Sequence, residues 1–155
     1  MSLSPPKWIA PRWHALVVED SLLHQRLATG LLSRRGFHTT VVSNGQEAIV
    51  AARDYRFNLI LMDIEMPVLD GYAATLRIRD QESKGGRHVT IVAVTSRADP
   101  DRALNAGMDA YLAKPLSASA LDAVLRALVD GRDFRFRTFR RLSWQLQAPT
   151  SSLPH

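Results

Sequence analysis

Six polar residues stand immediately after short apolar runs, and together they could handle a phosphoryl group. Glu19 and Asp20 follow Ala15-Leu16-Val17-Val18, and Asp63 follows the run from Asn58 to Met62. Thr95 and Ser96 follow Val89 to Val94, and Lys114 follows Ala110-Tyr111-Leu112. Clustered carboxylates repel one another, and a hard divalent cation relieves that repulsion; oxygen-only ligation suits Mg²⁺ or Mn²⁺. Mg²⁺ takes few carboxylates and leaves positions for a phosphate. A carboxylate can also attack phosphorus and become an aspartyl phosphate. A metal, an ammonium and a hydroxyl would then share the charge on the phosphoryl oxygens. Any one of these residues alone reads as a solvated loop residue. Their recurrence at four run ends is what points to a site.

The elements that must position them alternate along the chain. Ala15–Val18 reads as a buried strand. Ser21 offers an N-cap to a helix carrying Leu22, Leu23, Leu27, Leu31 and Leu32 at helical spacing, and Gly36 ends it. Phe37–Val42 is strand-like, Asn44-Gly45 is a turn, and Gln46–Arg53 is a short helix. Asn58–Met62 is a third strand. A loop through Pro67 leads to Asp70-Gly71 and a helix to about Gln81. Val89–Val94 is a fourth strand, Pro100–Asn105 a helix stopped by Gly107, and Ala110–Leu112 a short fifth strand. Ser117 caps a last helix running to about Asp130. Continuous apolar strands between amphipathic helices predict a doubly wound, five-stranded parallel α/β sheet with helices on both faces. Ligands of such sheets bind beyond the carboxyl ends of the strands, where all the polar residues above would share one rim.

Charge and composition narrow the classes further. The chain has 155 residues, 46% hydrophobic and 23% charged, ordinary for one globular domain with short tails. It has no cysteine, which excludes disulfides and thiolate metal sites. No run approaches a membrane span, and residues 1–13, with three prolines, do not read as a signal peptide. The net charge is +5, yet its placement is uneven. Residues 1–13 hold Lys7 and Arg12 and no acid, and residues 131–155 hold five arginines against Asp133, so the body between nets −1. A basic-protein case for nucleic-acid binding therefore does not apply to the core.

Four segments closely resemble the receiver domains of two-component response regulators. They are Leu16-Val17-Val18-Glu19-Asp20-Ser21, the run from Leu61-Met62-Asp63 through Met66-Pro67 to Asp70-Gly71, Val94-Thr95-Ser96, and Tyr111-Leu112-Ala113-Lys114-Pro115-Leu116. The resemblance covers about residues 14–130. It implies a flavodoxin-like receiver fold with strand order 2-1-3-4-5. It implies Asp63 as phosphoacceptor, Glu19 and Asp20 as the acidic pair, and the Glu65 backbone carbonyl completing the protein ligands of Mg²⁺ (or Mn²⁺). Thr95 and Lys114 would hold the phosphoryl oxygens, and Tyr111 would be the aromatic that turns inward when Thr95 is drawn to the phosphoryl group. A cis peptide between Lys114 and Pro115 is also implied. The implied partners are a histidine kinase or histidine phosphotransfer protein in the cytoplasm, with room for a homodimer. Ala73-Ala74-Thr75 with Arg77-Ile78-Arg79 follows the style of receivers in hybrid kinases and phosphorelays, and His24-Gln25 stands where many of those read Asn-Gln.

Two rival readings compete with this one. An aspartate-nucleophile phosphatase of the haloacid-dehalogenase type also uses an Asp after a strand with Mg²⁺, but typically reads D-x-D, and Glu65 stands at its acid–base position. The basic, aromatic stretch from Asp133 to Arg141 could make the chain an adaptor for nucleic acid or a membrane surface. A linker, or a helix packed on the body or on a partner chain, is the plainer reading of residues 131–155. The histidines His14, His24, His38, His88 and His155 show no metal-ligand spacing, and His24 reads as a solvated helix residue.

Overall fold

In a computed structural model the chain is described over residues 13–97 and 99–129. The expected 131–155 tail and all of the 1–13 extension but Trp13 lie outside the described residues. Ten elements alternate in sequence: β1 (His14–Val18), α1 (Leu22–Ser33), β2 (His38–Val42), α2 (Gly45–Asp54), β3 (Leu59–Asp63), α3 (Gly71–Ser83), β4 (Thr90–Thr95), α4 (Pro100–Ala106), β5 (Ala110–Ala113) and α5 (Ala118–Val129). The five strands form one parallel sheet in the order β2-β1-β3-β4-β5. Both the fold class and the implied order hold.

The continuous apolar strands are explained by burial on both faces. Leu16, Val18, Ile60, Met62, Ile91, Ala93 and Tyr111 face one core with residues of α2, α3 and α4. Their alternate neighbours Ala15, Val17, Leu59, Leu61, Val92, Val94 and Leu112 face the other with Leu32, Leu121 and Leu125 of α1 and α5. A period of two is present, but neither set is polar, so no alternation shows in the sequence.

Each helix starts just past a strand end and is capped by a side chain of the intervening loop. Ser21, Asn44, Asp70 and Asp99 accept the N–H groups of His24, Glu47, Ala73 and Arg102, and Ser117 Oγ accepts that of Ala120. Each such cap stabilises by about 1 kcal/mol, and here it also pins a loop on the rim that carries the polar residues. The first helix closes as the glycine predicts. Gly36 takes a left-handed φ of 87°, Phe37 N–H reaches back to the Leu32 carbonyl and Gly36 N–H to that of Ser33.

Two boundaries differ with consequence. Asp63 and Thr95, expected just beyond their strands, are the last residues of β3 and β4. The ladder extends one step further than the apolar runs, because Asp63 pairs with Val94 and Thr95 with Ala113. Their backbones are therefore held by the sheet and not by loops.

Candidate functional site

The rim builds up from β1. Glu19 N–H donates to the Val42 carbonyl at 3.0 Å, which continues the β1–β2 ladder past β1. Its Oε1 accepts the Ser21 N–H at 3.1 Å and its carbonyl accepts Gln25 Nε2 at 2.6 Å, so the acid is fixed at both ends. β3 then delivers Asp63, which is 3% exposed, beside Glu19 at 4%. Asp20, next along the chain, is exposed. One carboxylate oxygen from each of Glu19, Asp20 and Asp63 lies within 4.8 Å of the others. After β5, Lys114 N–H is held by the Thr95 carbonyl at 2.9 Å. The Lys114 ammonium reaches Glu19 Oε2 at 2.9 Å and Asp63 Oδ1 at 3.1 Å. The peptide from Lys114 to Pro115 is cis.

Two glycines let the loops close over this rim. Gly71 opens α3 directly against β3, and a Cβ there would lie 2.3 Å from the Asp63 carbonyl oxygen. Gly45 opens α2 against the β3–α3 loop, where a Cβ would lie 2.5 Å from the Leu69 carbonyl oxygen. Both approaches exclude any side chain.

The electrostatics are those of an anionic site with one cation too few. Burial, and then the neighbouring Glu19 charge, push the Asp63 carboxyl up from 3.8 to about 6, against the opposing pull of Lys114 and the Glu65 amide. Burial also works to raise Glu19, but its hydrogen bonds from Lys114 and the Ser21 amide prevail and hold it below the usual range. Burial would lower Lys114, yet its hydrogen bonds with Glu19 and Asp63 hold it above the ordinary value. Three carboxylates against one ammonium, two of them buried, form an all-oxygen donor set that fits a hard divalent cation.

The remaining predicted residues divide. Glu65 N–H donates to Asp63 Oδ1 at 3.3 Å, which puts its backbone beside the cluster. Its carboxylate is exposed and faces Arg97 Nε at 3.9 Å. Thr95 is buried, but its hydroxyl donates to the Arg97 carbonyl and accepts the Arg97 N–H, both at 3.0 Å. It is tied to its own loop and not to Asp63. Tyr111 is 4% exposed, packed in the core that holds Ala103, Ala106 and Met108; the ring expected to turn inward is already inside.

Sequence reading missed His24. Its Nδ1 lies 3.4 Å from Lys114 Nζ and 3.6 Å from Glu19 Oε1. The sequence places it in the first turn of a helix that starts on the rim, but the contact itself depends on how α1 is phased against β5. A wider cleft of about 390 Å³, lined by Arg53, Arg56, Glu82 and Arg87 among others, opens among elements away from this cluster and includes none of the predicted residues.

Comparison with known proteins agrees with this geometry. Residues 15–126 match the family model for the response regulator receiver domain. The hybrid signal transduction histidine kinase I of Dictyostelium discoideum is 36% identical over 122 residues, 74% of this chain but only 7% of that protein. The polar-differentiation response regulator DivK of Brucella anthropi is 36% identical over 105 residues, 66% of this chain and 84% of that one. Among solved structures, the receiver domain of the sensor histidine kinase PA1611 of Pseudomonas aeruginosa, with a magnesium ion coordinated in its active site cleft, shares 39% identity. It aligns with a TM-score of 0.69 over 76% of this chain and 98% of that one. The receiver domain of the Saccharomyces cerevisiae response regulator Ssk1, solved with the histidine phosphotransfer protein Ypd1, aligns at 31% identity and a TM-score of 0.72 over 79% of this chain and 92% of that one. By its fold, by the acidic rim that the fold builds and by the match over most of its length, this chain belongs to the response regulator receiver domain family.

Proposed function

We propose that this chain is the phosphoacceptor of a two-component phosphorelay, with Asp63 taking a phosphoryl group from a phosphohistidine of a histidine kinase or histidine phosphotransfer protein. The observation that carries the reading is the setting of Asp63. It is buried at the end of β3, between a carboxylate cluster and the Lys114 ammonium 3.1 Å away. An Asp63 carboxylate oxygen attacks phosphorus in line; the new O–P bond forms as the P–N bond to the donor imidazole breaks, and that electron pair leaves on the imidazole nitrogen. Glu19, Asp20 and Asp63 would hold Mg²⁺ or Mn²⁺, with the Glu65 carbonyl as a further oxygen, and the ion would neutralise charge on the phosphoryl oxygens. Lys114 supplies a second positive charge on the β5 side. Thr95 leaves its hydrogen bonds with Arg97 to meet the phosphoryl group. The buried Tyr111 then reports this exchange to the surface around α4, β5 and α5, as a shift between two existing populations. The chain turns over no substrate of its own beyond this self-modification.

The receiver unit spans 14–130, flanked by an extension at 1–13 and a basic tail at 131–155. No helix among the described residues is long and apolar enough to cross a membrane, and the proposed setting is the cytoplasm. The magnesium-bound receiver of PA1611 and the Ypd1–Ssk1 complex support the choice of cofactor and donor class. Mixing the chain with a phosphorylated histidine phosphotransfer protein should move the label within minutes when Mg²⁺ is present and not when it is chelated. Equal transfer in chelator would remove the metal from the reading.

A further inference from the structure

An ammonium has three N–H donors and no acceptor. Lys114 has three neighbours for them: Glu19 Oε2 at 2.9 Å, Asp63 Oδ1 at 3.1 Å and His24 Nδ1 at 3.4 Å. An ammonium can only donate, so in the 3.4 Å contact Nδ1 is the accepting atom; Glu19 Oε1 stands further from it, at 3.6 Å. The ring is aimed by the first turn of α1. Ser21 Oγ accepts the His24 N–H at 3.4 Å, and Gln25 next to it donates from Nε2 to the Glu19 carbonyl at 2.6 Å. The turn carrying the imidazole is thus tied to the residue whose carboxylate shares the ammonium. His24, Glu19, Asp63 and Lys114 line one small cleft at the rim.

We propose that His24 is a positioning residue for phosphoryl transfer, its Nδ1 accepting the third hydrogen bond of the Lys114 ammonium so that the cation stands fixed beside Asp63 before the phosphoryl group arrives. The inference rests on the reading of Asp63 as phosphoacceptor. A lysine ends a flexible four-carbon stem, and two carboxylate contacts leave one of its three N–H donors without a fixed acceptor. A third acceptor from α1 supplies it, and a charge fixed in advance needs no reorganisation during the reaction. A carboxylate in place of the imidazole would bind the ammonium harder but would add a fourth negative charge to the cluster. An imidazole acceptor orients the ammonium without adding negative charge to the cluster.

The test is a double-mutant cycle on the full chain, read as the rate of Asp63 labelling by phosphoramidate with Mg²⁺ over a range of phosphoramidate concentrations. His24→Leu removes the acceptor and should lower the maximal rate about fivefold, leaving the half-saturating concentration unchanged. His24→Ala, a second removal, should do the same. His24→Asn places an oxygen near the position of Nδ1 and should recover most of the rate. In a Lys114→Ala background, His24→Leu should change nothing further, since the two act through one contact. Unchanged labelling of both removal variants, or effects that multiply in the Lys114→Ala background, would overturn the proposal. A wild-type chain that takes no label on Asp63 would instead overturn the phosphoacceptor reading, and the inference with it, so the two failures are distinguishable.

Discussion

Asp63 is a carboxylate held where negative charge is disfavoured, by burial first and by Glu19 second, and its carboxyl rises to about 6. The consequence for stability has a definite sign. Between pH 3.8 and about 6 the folded chain binds a proton at Asp63 that the unfolded chain has released. This contribution to stability is full below pH 3.8 and is lost as the pH rises through about 6. A cation at the cluster reverses the balance, since it binds the ionised form. Apparent Mg²⁺ affinity should therefore weaken as pH falls from 7.5 to 5, with up to one proton released per ion bound below pH about 6. Calorimetric titration in two buffers of different ionisation enthalpy reads both quantities. Affinity that is flat over this range, with no proton release, would show that Asp63 does not bind the ion from a raised carboxyl. At the same scale, residue type and order carried most of the cluster. Glu19, Asp20, Asp63 and Lys114 were legible because each closes an apolar run. The His24 contact was not, because it depends on the helical phase of α1 relative to β5.

Elements explain why the site survives on so few contacts. The strands end at one rim because all five are parallel, and side-chain caps fix the loops beyond them. At the other end of the molecule a buried ion-pair network closes the sheet. Arg79 of α3 donates to Asp109 Oδ2 at 2.8 Å, to Glu82 Oε1 at 2.6 Å and to the carbonyls of Val89 and Gly107, both at 2.8 Å. Asp109, 2% exposed, also accepts the Ile91 N–H at 2.8 Å and faces His88 Nε2 at 2.9 Å. One guanidinium thus joins α3, the start of β4 and the α4–β5 turn. Arg79→Met should destabilise the fold by about 3–5 kcal/mol, because it leaves the Asp109 carboxylate buried without its principal cation. Urea unfolding measures this, and a loss under 1 kcal/mol would show that the network contributes little. Secondary-structure order was legible from periodicity, while strand order came only with the family resemblance. Nothing in the sequence marked the Arg79–Asp109 pairing, which spans 30 positions and depends on how α3 lies over the sheet.

For the whole molecule, both faces of the sheet are covered by helices lying within residues 22–129. Deletion of 131–155 should accordingly leave a folded chain that still takes phosphate. A truncated chain that is unfolded by circular dichroism would place the tail in the core. The deletion also removes four net positive charges, so solubility and self-association are the properties expected to move. The uneven charge was legible from the sequence, and it is why the basic composition says little about the body. The Asp63 carboxylate is the group on which the proposed chemistry depends, and the direct test is there. Asp63→Asn keeps the shape of the side chain and removes the nucleophile. The wild-type chain, treated with phosphoramidate and Mg²⁺ and mapped by mass spectrometry, should carry one acid-labile, hydroxylamine-sensitive phosphate on Asp63. The Asp63→Asn chain should be folded and unlabelled. Undiminished labelling of the Asp63→Asn chain, or a label mapped to another residue in the wild type, would contradict the account.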